Sequence, residues 1–373
     1  MSAPAAAFPR TLLLIPSYAR DVSAADIAAN LHPTMDYYAL RDRVGGDIVD
    51  YAAVDADTHP AVRAARQISR DVAIAVTAFL RAGHYQVIFS NSESVGVPLA
   101  ALFRGRWRRP AHVVIGHRIS AAKKRLPLRL THPQIDAILV YAGVQKAYAE
   151  SVLGMPASKV HQIPFHADAR FFAPQPGPVG GRPRIVSAGL ELRDYPTMIE
   201  AVRGLDVEVC LAAASPWSKR ANETKGRELP PNVTARAYNY RELRDLYASA
   251  AFVVVPLYET DFQAGVTTIL EAMAMGKAVI ATRTTGQRDV IDDGTSGLYV
   301  PPGDPAALRS AVEGLLVSPE RAAEIGACAR RVIESRMSLG LWVDRIAAVI
   351  RSVTPEGVDA ERREHDEAGH DWH

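Results

Sequence analysis

The chain reads as an α/β protein of two doubly wound domains, each on a parallel sheet, facing one another across a cleft. Three observations carry that expectation. Short apolar runs of strand length alternate with helix-length patterns throughout. The rhythm breaks at a proline- and glycine-rich stretch, Pro174 to Pro183, and then restarts. A chain of 373 residues is also longer than one hydrophobic core usually organises.

In the first half, Leu12–Pro16, Gln86–Ser90, Ala111–Gly116 and Ile138–Tyr141 read as strands, and Ala61–Arg81 as one long helix among them. After the break, strands are expected at Arg184–Gly189, Val207–Ala213, Phe252–Pro256 and Ala278–Thr282. Helices are expected at Asp194–Arg203, Leu243–Ser249, Thr267–Met275 and Pro305–Val317. Helix-sized connections between strands imply parallel pairing. A last pattern, Ser338–Arg351, carries Trp342, Ile346 and Val349 at helical spacing and must pack on something. The resulting division is 1–175, 176–337, a C-terminal helix 338–352 that can cross back to the first domain, and a tail 353–373. That tail holds seven acids against two arginines and little to bury, so disorder is expected.

Composition narrows the class. With 48% hydrophobic residues, both domains can be packed. Two cysteines, Cys210 and Cys328, sit in strand-like and helix-like runs, giving neither a disulfide framework nor a metal cluster and fitting a reducing cytoplasm. The opening MSAPAAAFPR lacks the basic start and apolar core of a signal peptide. No run approaches the roughly 18 apolar residues of a membrane span, so a soluble, cytoplasmic protein is expected. Net charge is only +2, yet nine Lys or Arg and no acid lie between Arg104 and Arg129. Such a patch suits an anionic acceptor or peripheral contact with a lipid surface, or is simply a solvated helix face. Trp107 is its one aromatic and no reader motif surrounds it, which argues against nucleic acid. A homodimer is left open.

Chemistry concentrates around Glu259 and Glu271, twelve residues apart across a strand, a polar loop and a helix start. Backbone N–H groups at a helix start form a seat for phosphate. The plain alternative is one more αβ unit whose loop covers strand ends, since neither a Walker lysine nor GxGxxG is present.

The phrase ILEAMAMGKAVIATRTTGQRDVIDDGTSGLYVPPGD, from Ile269 to Asp304, resembles the donor-binding domain of the retaining, nucleotide-sugar-dependent glycosyltransferases of family four, which have the GT-B fold. HQIPFHADARFFAP from His161 is similar to that family's interdomain phrase, with Asp168 and Phe172 in register, and SAGLELRDYPTMIEAV from Ser187 resembles its first donor-domain strand, turn and helix. The resemblance covers most of 160–350; the first domain matches mainly in architecture. It implies an acceptor side in 1–175 and a donor side in 176–337.

Departures are informative. The family's first acid falls on Gln263, with Glu259 or Asp261 as nearby substitutes, and the family's arginine falls on Leu190. The resemblance implies that Arg193 and Lys219 stabilise the leaving diphosphate, with Gly189 in the turn beside them and no metal or other cofactor. The N–H groups of Gly265, Val266 and Thr267 would meet the distal phosphate or donor sugar, and Glu271 the ribose hydroxyls. Tyr238 or Tyr240, near the strand and loop Ala235–Arg241, would flank the base, and His117 the donor sugar. Ser92 and Glu93 would serve the acceptor, and the loop Ser17–Asp21 either substrate. Plainer readings stand beside these: a helix-dipole partner for Glu271, a surface-loop histidine for His117, a surface lysine for Lys219, ordinary packing for the tyrosines. The function implied is transfer of a sugar from a nucleotide diphosphate sugar to a small-molecule, glycan or lipid-linked acceptor. A nucleotide-sugar epimerase or phosphorylase on the same fold, or a non-catalytic nucleotide-sugar-binding protein, is the alternative.

Overall fold

The computed structural model describes residues 8–19, 24–177, 180–212 and 229–354. Lys219 and the acidic tail from 355 lie outside them.

The first half carries strands β1 (Thr11–Leu14), β2 (Asp47–Val49), β3 (Val87–Ser90), β4 (Ala111–Gly116), β5 (Ala137–Val140) and β6 (Val160–Gln162). Its helices are α1 (Ala24–Ala28), α2 (Asp36–Val44), α3 (Tyr51–Ala56), α4 (Pro60–Ile68), α5 (Arg70–Arg81), α6 (Glu93–Phe103), α7 (Ala122–Thr131) and α8 (Gly143–Ser151). The second half carries β7 (Arg184–Ala188), β8 (Glu208–Ala212), β9 (Val233–Arg236), β10 (Phe252–Val255), β11 (Val279–Thr282) and β12 (Leu298–Val300). Its helices are α9 (Tyr195–Ala201), α10 (Tyr240–Ser249), α11 (Val266–Ala274), α12 (Pro305–Val317), α13 (Pro319–Val332) and α14 (Leu339–Ser352).

Among the described residues the strands form two six-stranded parallel sheets, ordered β2-β1-β3-β4-β5-β6 and β12-β11-β10-β7-β8-β9. Both orders reverse direction beside the first strand of the half, β1 or β7, the arrangement that opens a crevice at the strand carboxyl ends. The central strands are buried on both faces by flanking helices, which explains their unbroken apolar runs.

One expected element is corrected. Ala61–Arg81 is two helices, because Ser69 is fully extended (φ −169°, ψ 160°) and its hydroxyl accepts the Val72 N–H at 3.1 Å, capping a new helix. Amphipathic spacing continues through the break, so periodicity alone did not reveal it.

The chain passes between the halves twice, and the two crossings pair. Ala167 N–H donates to Met337 O (3.0 Å) and Leu339 N–H to Ala167 O (2.9 Å). Beyond that point α14 lies on α2, burying Trp342, Ile346 and Ile350 in the first half's core with Leu13, Ile15 and Leu40. Trp342 is fully buried, and such large-to-small changes cost about 3–5 kcal/mol. Trp342→Ala should therefore lower the unfolding midpoint of the first half, read by urea denaturation; an unchanged midpoint would contradict this packing role for α14.

Candidate functional site

A cleft of about 720 Å3 opens between the carboxyl ends of the two sheets. On the first half, Ser17 follows β1, Asn91 and Ser92 follow β3, His117 follows β4 and Tyr141 follows β5. Facing them are Glu191 after β7, the segment Phe262–Thr267 leading into α11, and Glu271 one turn along that helix.

The start of α11 is built for an anion. Gly265 precedes it in the left-handed region (φ 75°), where a side chain would also meet Val255 at 2.9 Å. The N–H of Ile269 makes an intrahelical bond back to Gly265 O, so the N–H groups of Thr267 and Thr268 precede it in the first turn. Gly286 lets two loops touch: a Cβ there would lie 2.3 Å from Phe262 N.

Glu271 is buried, and Tyr247 donates its hydroxyl to Oε2 at 3.1 Å. Burial pushes this carboxyl up to about 8, opposed only in part by that hydrogen bond and the charge of Arg193. Glu271 is consequently protonated at neutral pH in the unliganded protein.

Arg193 lies beneath this floor and does not line the cleft. Its Nε donates to Ala188 O (2.7 Å), Nη1 to Glu191 O (2.8 Å) and Nη2 to Thr268 Oγ1 (3.0 Å). The guanidinium pins the β7 turn to the α11 start, and Gly189 (φ 93°) makes room for it: a Cβ there would sit 2.4 Å from Nη2. Arg193 thus shapes the site and contributes positive potential from behind, whereas the sequence suggested direct contact.

His117 stands on the opposite wall. Its Nε2 is 3.0 Å from Asn91 O, and since a carbonyl only accepts, Nε2 carries a hydrogen and Nδ1 is left for another partner. Glu93, assigned to the acceptor from sequence, lies buried below this loop. It accepts the N–H groups of His117 (3.0 Å) and Arg118 (3.2 Å) and pairs with Lys124. Burial would raise its carboxyl, yet the charges of His117 and Lys124 and these hydrogen bonds hold it down to about 2. Glu93 is a fixed anion that sets the position of His117. Ser92 lines the cleft while accepting the Ser94 N–H at 3.1 Å.

Gln263 explains its own departure from an acid. Its Nε2 donates across the cleft to Tyr141 O at 3.2 Å, while Oε1 is buried without a protein partner. A carboxylate would set an oxygen against that carbonyl. The same loop is held by Gln145 Nε2 donating to Asp261 O (2.6 Å) and by Arg118, 3.3 Å from the Asp261 carboxylate and over the Phe262 ring.

Other expected residues lie elsewhere. Glu259 is outside the cleft lining, its carboxylate accepting the Thr285 N–H at 2.8 Å. Tyr238 is also outside, under the Arg236 guanidinium at 3.7 Å, while Tyr240 lines the cleft edge-on to His32. Lys219 lies outside the described residues. Sequence reading missed Asp36, His166 and Glu191 on the walls; Glu191 follows β7 directly, a position that strand-end logic could have flagged. Among the described residues no cluster of three or more His, Cys, Asp or Glu is placed to hold a metal.

Residues 189–318 match the family model described as Glycosyl transferases group 1. The chain is 42% identical over 84 residues to D-inositol 3-phosphate glycosyltransferase 2 of Catenulispora acidiphila, covering 22% of this chain and 19% of that protein. It is 29% identical over 154 residues to alpha-D-kanosaminyltransferase of Streptomyces kanamyceticus, covering 40% and 39%. The aligned stretches thus span well under two thirds of these relatives' lengths. In overall structure the chain is similar to sucrose-phosphate synthase from Thermosynechococcus elongatus, with a TM-score of 0.71 at 18% identity over 92% of this chain and 99% of that one. It is also similar to Anabaena HepE, solved in complex with UDP-glucose, with a TM-score of 0.67 at 16% identity over 92% and 100%. The fold is GT-B.

Glu271 sets a pH signature. Its folded-state pKa, about 8, lies above the ordinary carboxylate value of 4.5, so between those values the native state holds a proton that the unfolded state has lost, and stability falls as pH rises. Glu271→Gln removes that penalty. The variant should gain on the wild type by about 1.4 kcal/mol per pH unit across this window, measured by urea denaturation from pH 5 to 8.5; a pH-independent difference would contradict a neutral Glu271.

Proposed function

We propose that this protein is a retaining, metal-independent glycosyltransferase that moves a sugar from a nucleoside diphosphate sugar to the hydroxyl of a small-molecule, glycan or lipid-linked acceptor in the cytoplasm. The observation that carries the reading is the buried Glu271 carboxyl beside the N–H groups of the α11 start, on a cleft floor between two GT-B sheets.

In this reading the diphosphate sits over the first turn of α11, where backbone N–H groups and the helix dipole meet charge that grows as the glycosidic bond breaks. Arg193 adds its field from below, and Lys219 is the proposed direct cation. Glu271 ionises as the nucleotide arrives and its two oxygens accept the two ribose hydroxyls; a neutral acid could not accept both equally well. His117, through Nδ1, hydrogen-bonds a donor-sugar hydroxyl, and the orphaned Oε1 of Gln263 accepts from another. The acceptor oxygen bonds to the anomeric carbon on the face the phosphate oxygen leaves, and that phosphate oxygen takes the acceptor's proton. Retention follows without a protein nucleophile.

Glu271→Ala should weaken nucleoside diphosphate binding by about 100-fold, counting two lost hydrogen bonds to a charged group, read by calorimetry with a panel of nucleotides. Gln263→Ala should instead change donor-sugar selectivity or kcat. Wild-type binding of the panel without transfer or slow donor hydrolysis would favour the non-catalytic binder, and turnover of the donor sugar without transfer an epimerase.

A second feature supports peripheral contact with an anionic membrane. The structure sorts the nine cations of 104–129: Arg109 pairs with Asp136, Lys124 with Glu93 and Arg118 with Asp261, and Arg106 donates to Phe79 O. Arg104, Arg108, Lys123, Arg125 and Arg129 are exposed, with no ion-pair partner among the described residues. Interleaved with them, Leu102, Trp107, Leu126 and Leu130 are exposed, Trp107 completely. Cations beside exposed Trp and Leu suit the interface of an acidic bilayer. Sedimentation with phosphatidylserine vesicles should be salt-sensitive and lost in a Lys123→Glu/Arg125→Glu/Trp107→Ala variant; binding to neutral vesicles alone, or none, would refute the contact.

A further inference from the structure

The first-half wall of the cleft carries a carboxylate and an imidazole that the donor reading does not use. Asp36 opens α2, and Tyr37 N–H donates to its Oδ1 at 2.8 Å. Its Oδ2 lies 3.6 Å from His166 Nε2, too far for a hydrogen bond but close enough for an ion pair when the ring is protonated. The His166 ring stacks on Phe165 (4.9 Å, 16° between planes) and rests on Trp342 at 4.5 Å. Both ring nitrogens are buried, and neither has a hydrogen-bond partner in the protein. Two orphaned nitrogens on a ring fixed by aromatic neighbours, in the wall of an open cleft, call for an outside partner. Asp168, the neighbouring acid, is already consumed: Oδ2 accepts Thr34 N–H (2.8 Å) and Oδ1 those of Arg170 (3.0 Å) and Phe171 (3.3 Å).

We propose that Asp36 and His166 form the acceptor subsite, and that it takes the hydroxyl face of an uncharged polyol or sugar, not a phosphate or carboxylate group. The chemistry matches on each count. A carboxylate oxygen accepts from hydroxyls and repels anions, and an imidazole whose two nitrogens both lack a protein partner can hydrogen-bond the neighbouring hydroxyls of a polyol. Phe165, also in the lining, presents an apolar ring to sugar C–H groups. Burial would raise the Asp36 carboxyl, but His166 and the Tyr37 N–H hold it below the ordinary carboxylate range, so it is charged at neutral pH. The subsite also gives α14 a purpose in the site: its Trp342 is the back wall of the His166 pocket.

This inference rests on the transferase reading, and one experiment separates the two. Wild type, Asp36→Asn and His166→Gln are assayed with the best donor from a nucleoside diphosphate sugar panel and with glucose, myo-inositol, glucose 6-phosphate and inositol monophosphate as acceptors. The expected result is transfer to the uncharged probes in preference to their phosphates. Asp36→Asn should raise the KM for an uncharged acceptor about tenfold, the loss of one charge-assisted hydrogen bond, with kcat changing much less, and Asp36→Glu should recover part of that loss. If Asp36→Asn does not fold, as circular dichroism reports, His166→Gln carries the same test. Preference for the phosphorylated probes, an unchanged acceptor KM in both variants, or donor hydrolysis with no transfer to or millimolar binding of any uncharged probe would overturn the subsite. A wild-type protein that neither binds nor turns over any donor would instead sink the transferase reading.

Discussion

A buried carboxyl group one turn into a helix, on the floor of the cleft, is the constraint around which this structure is arranged. Glu271 is stripped of water by α10 and α11, and one hydrogen bond from Tyr247 and the nearby Arg193 charge do not restore what burial removes. The group is left neutral where the helix dipole would favour a negative charge. Removing the helix-start glycine or the Arg193 bracket would disturb the same floor, since Gly265, Gly189, Thr268 and Glu191 all meet that guanidinium or its partners. The cost of the buried acid is offset in a domain whose central strands β7, β10 and β11 are buried and mostly apolar.

The second constraint is closure. The wall facing Glu271 comes from the other sheet, so the site exists only while the halves stay together. Paired backbone crossings at Ala167 and Met337–Leu339, the return of α14, and the Gln263–Tyr141 and Gln145–Asp261 hydrogen bonds serve that end. Gly143 N–H donating to Asp289 Oδ2 at 2.7 Å adds a further tie. Gln263 bridges both constraints, since its amide nitrogen spans the halves and its oxygen is left for a ligand.

Much of the fold was legible in the sequence because buried parallel strands announce themselves as short apolar runs. Ala111–Gly116 was read with its observed limits, and the other expected strands lie within a residue or two of theirs. Three-residue strands such as β2, β6 and β12 carry too little pattern to stand out, and the extended Ser69 is invisible to a periodicity that continues through it. In the cleft, the positions of Glu271, His117 and the α11 start were legible because local sequence determines helix starts and strand ends. For Arg193 and Glu93, sequence shows that a charge is present but not that backbone groups hold it, which only the fold reveals. Asp36 and His166 were missed for a different reason: 130 positions separate them, and only the fold brings them together.

The central claim is that Glu271 is neutral in the empty cleft and becomes the charged partner of a nucleotide. Calorimetric titration of the full-length protein with a nucleoside diphosphate at pH 7, in two buffers of different ionisation enthalpy, tests it most directly. Release of close to one proton per nucleotide, abolished in Glu271→Gln, is the predicted result. An enthalpy independent of buffer, or proton release that persists in Glu271→Gln, would contradict the account.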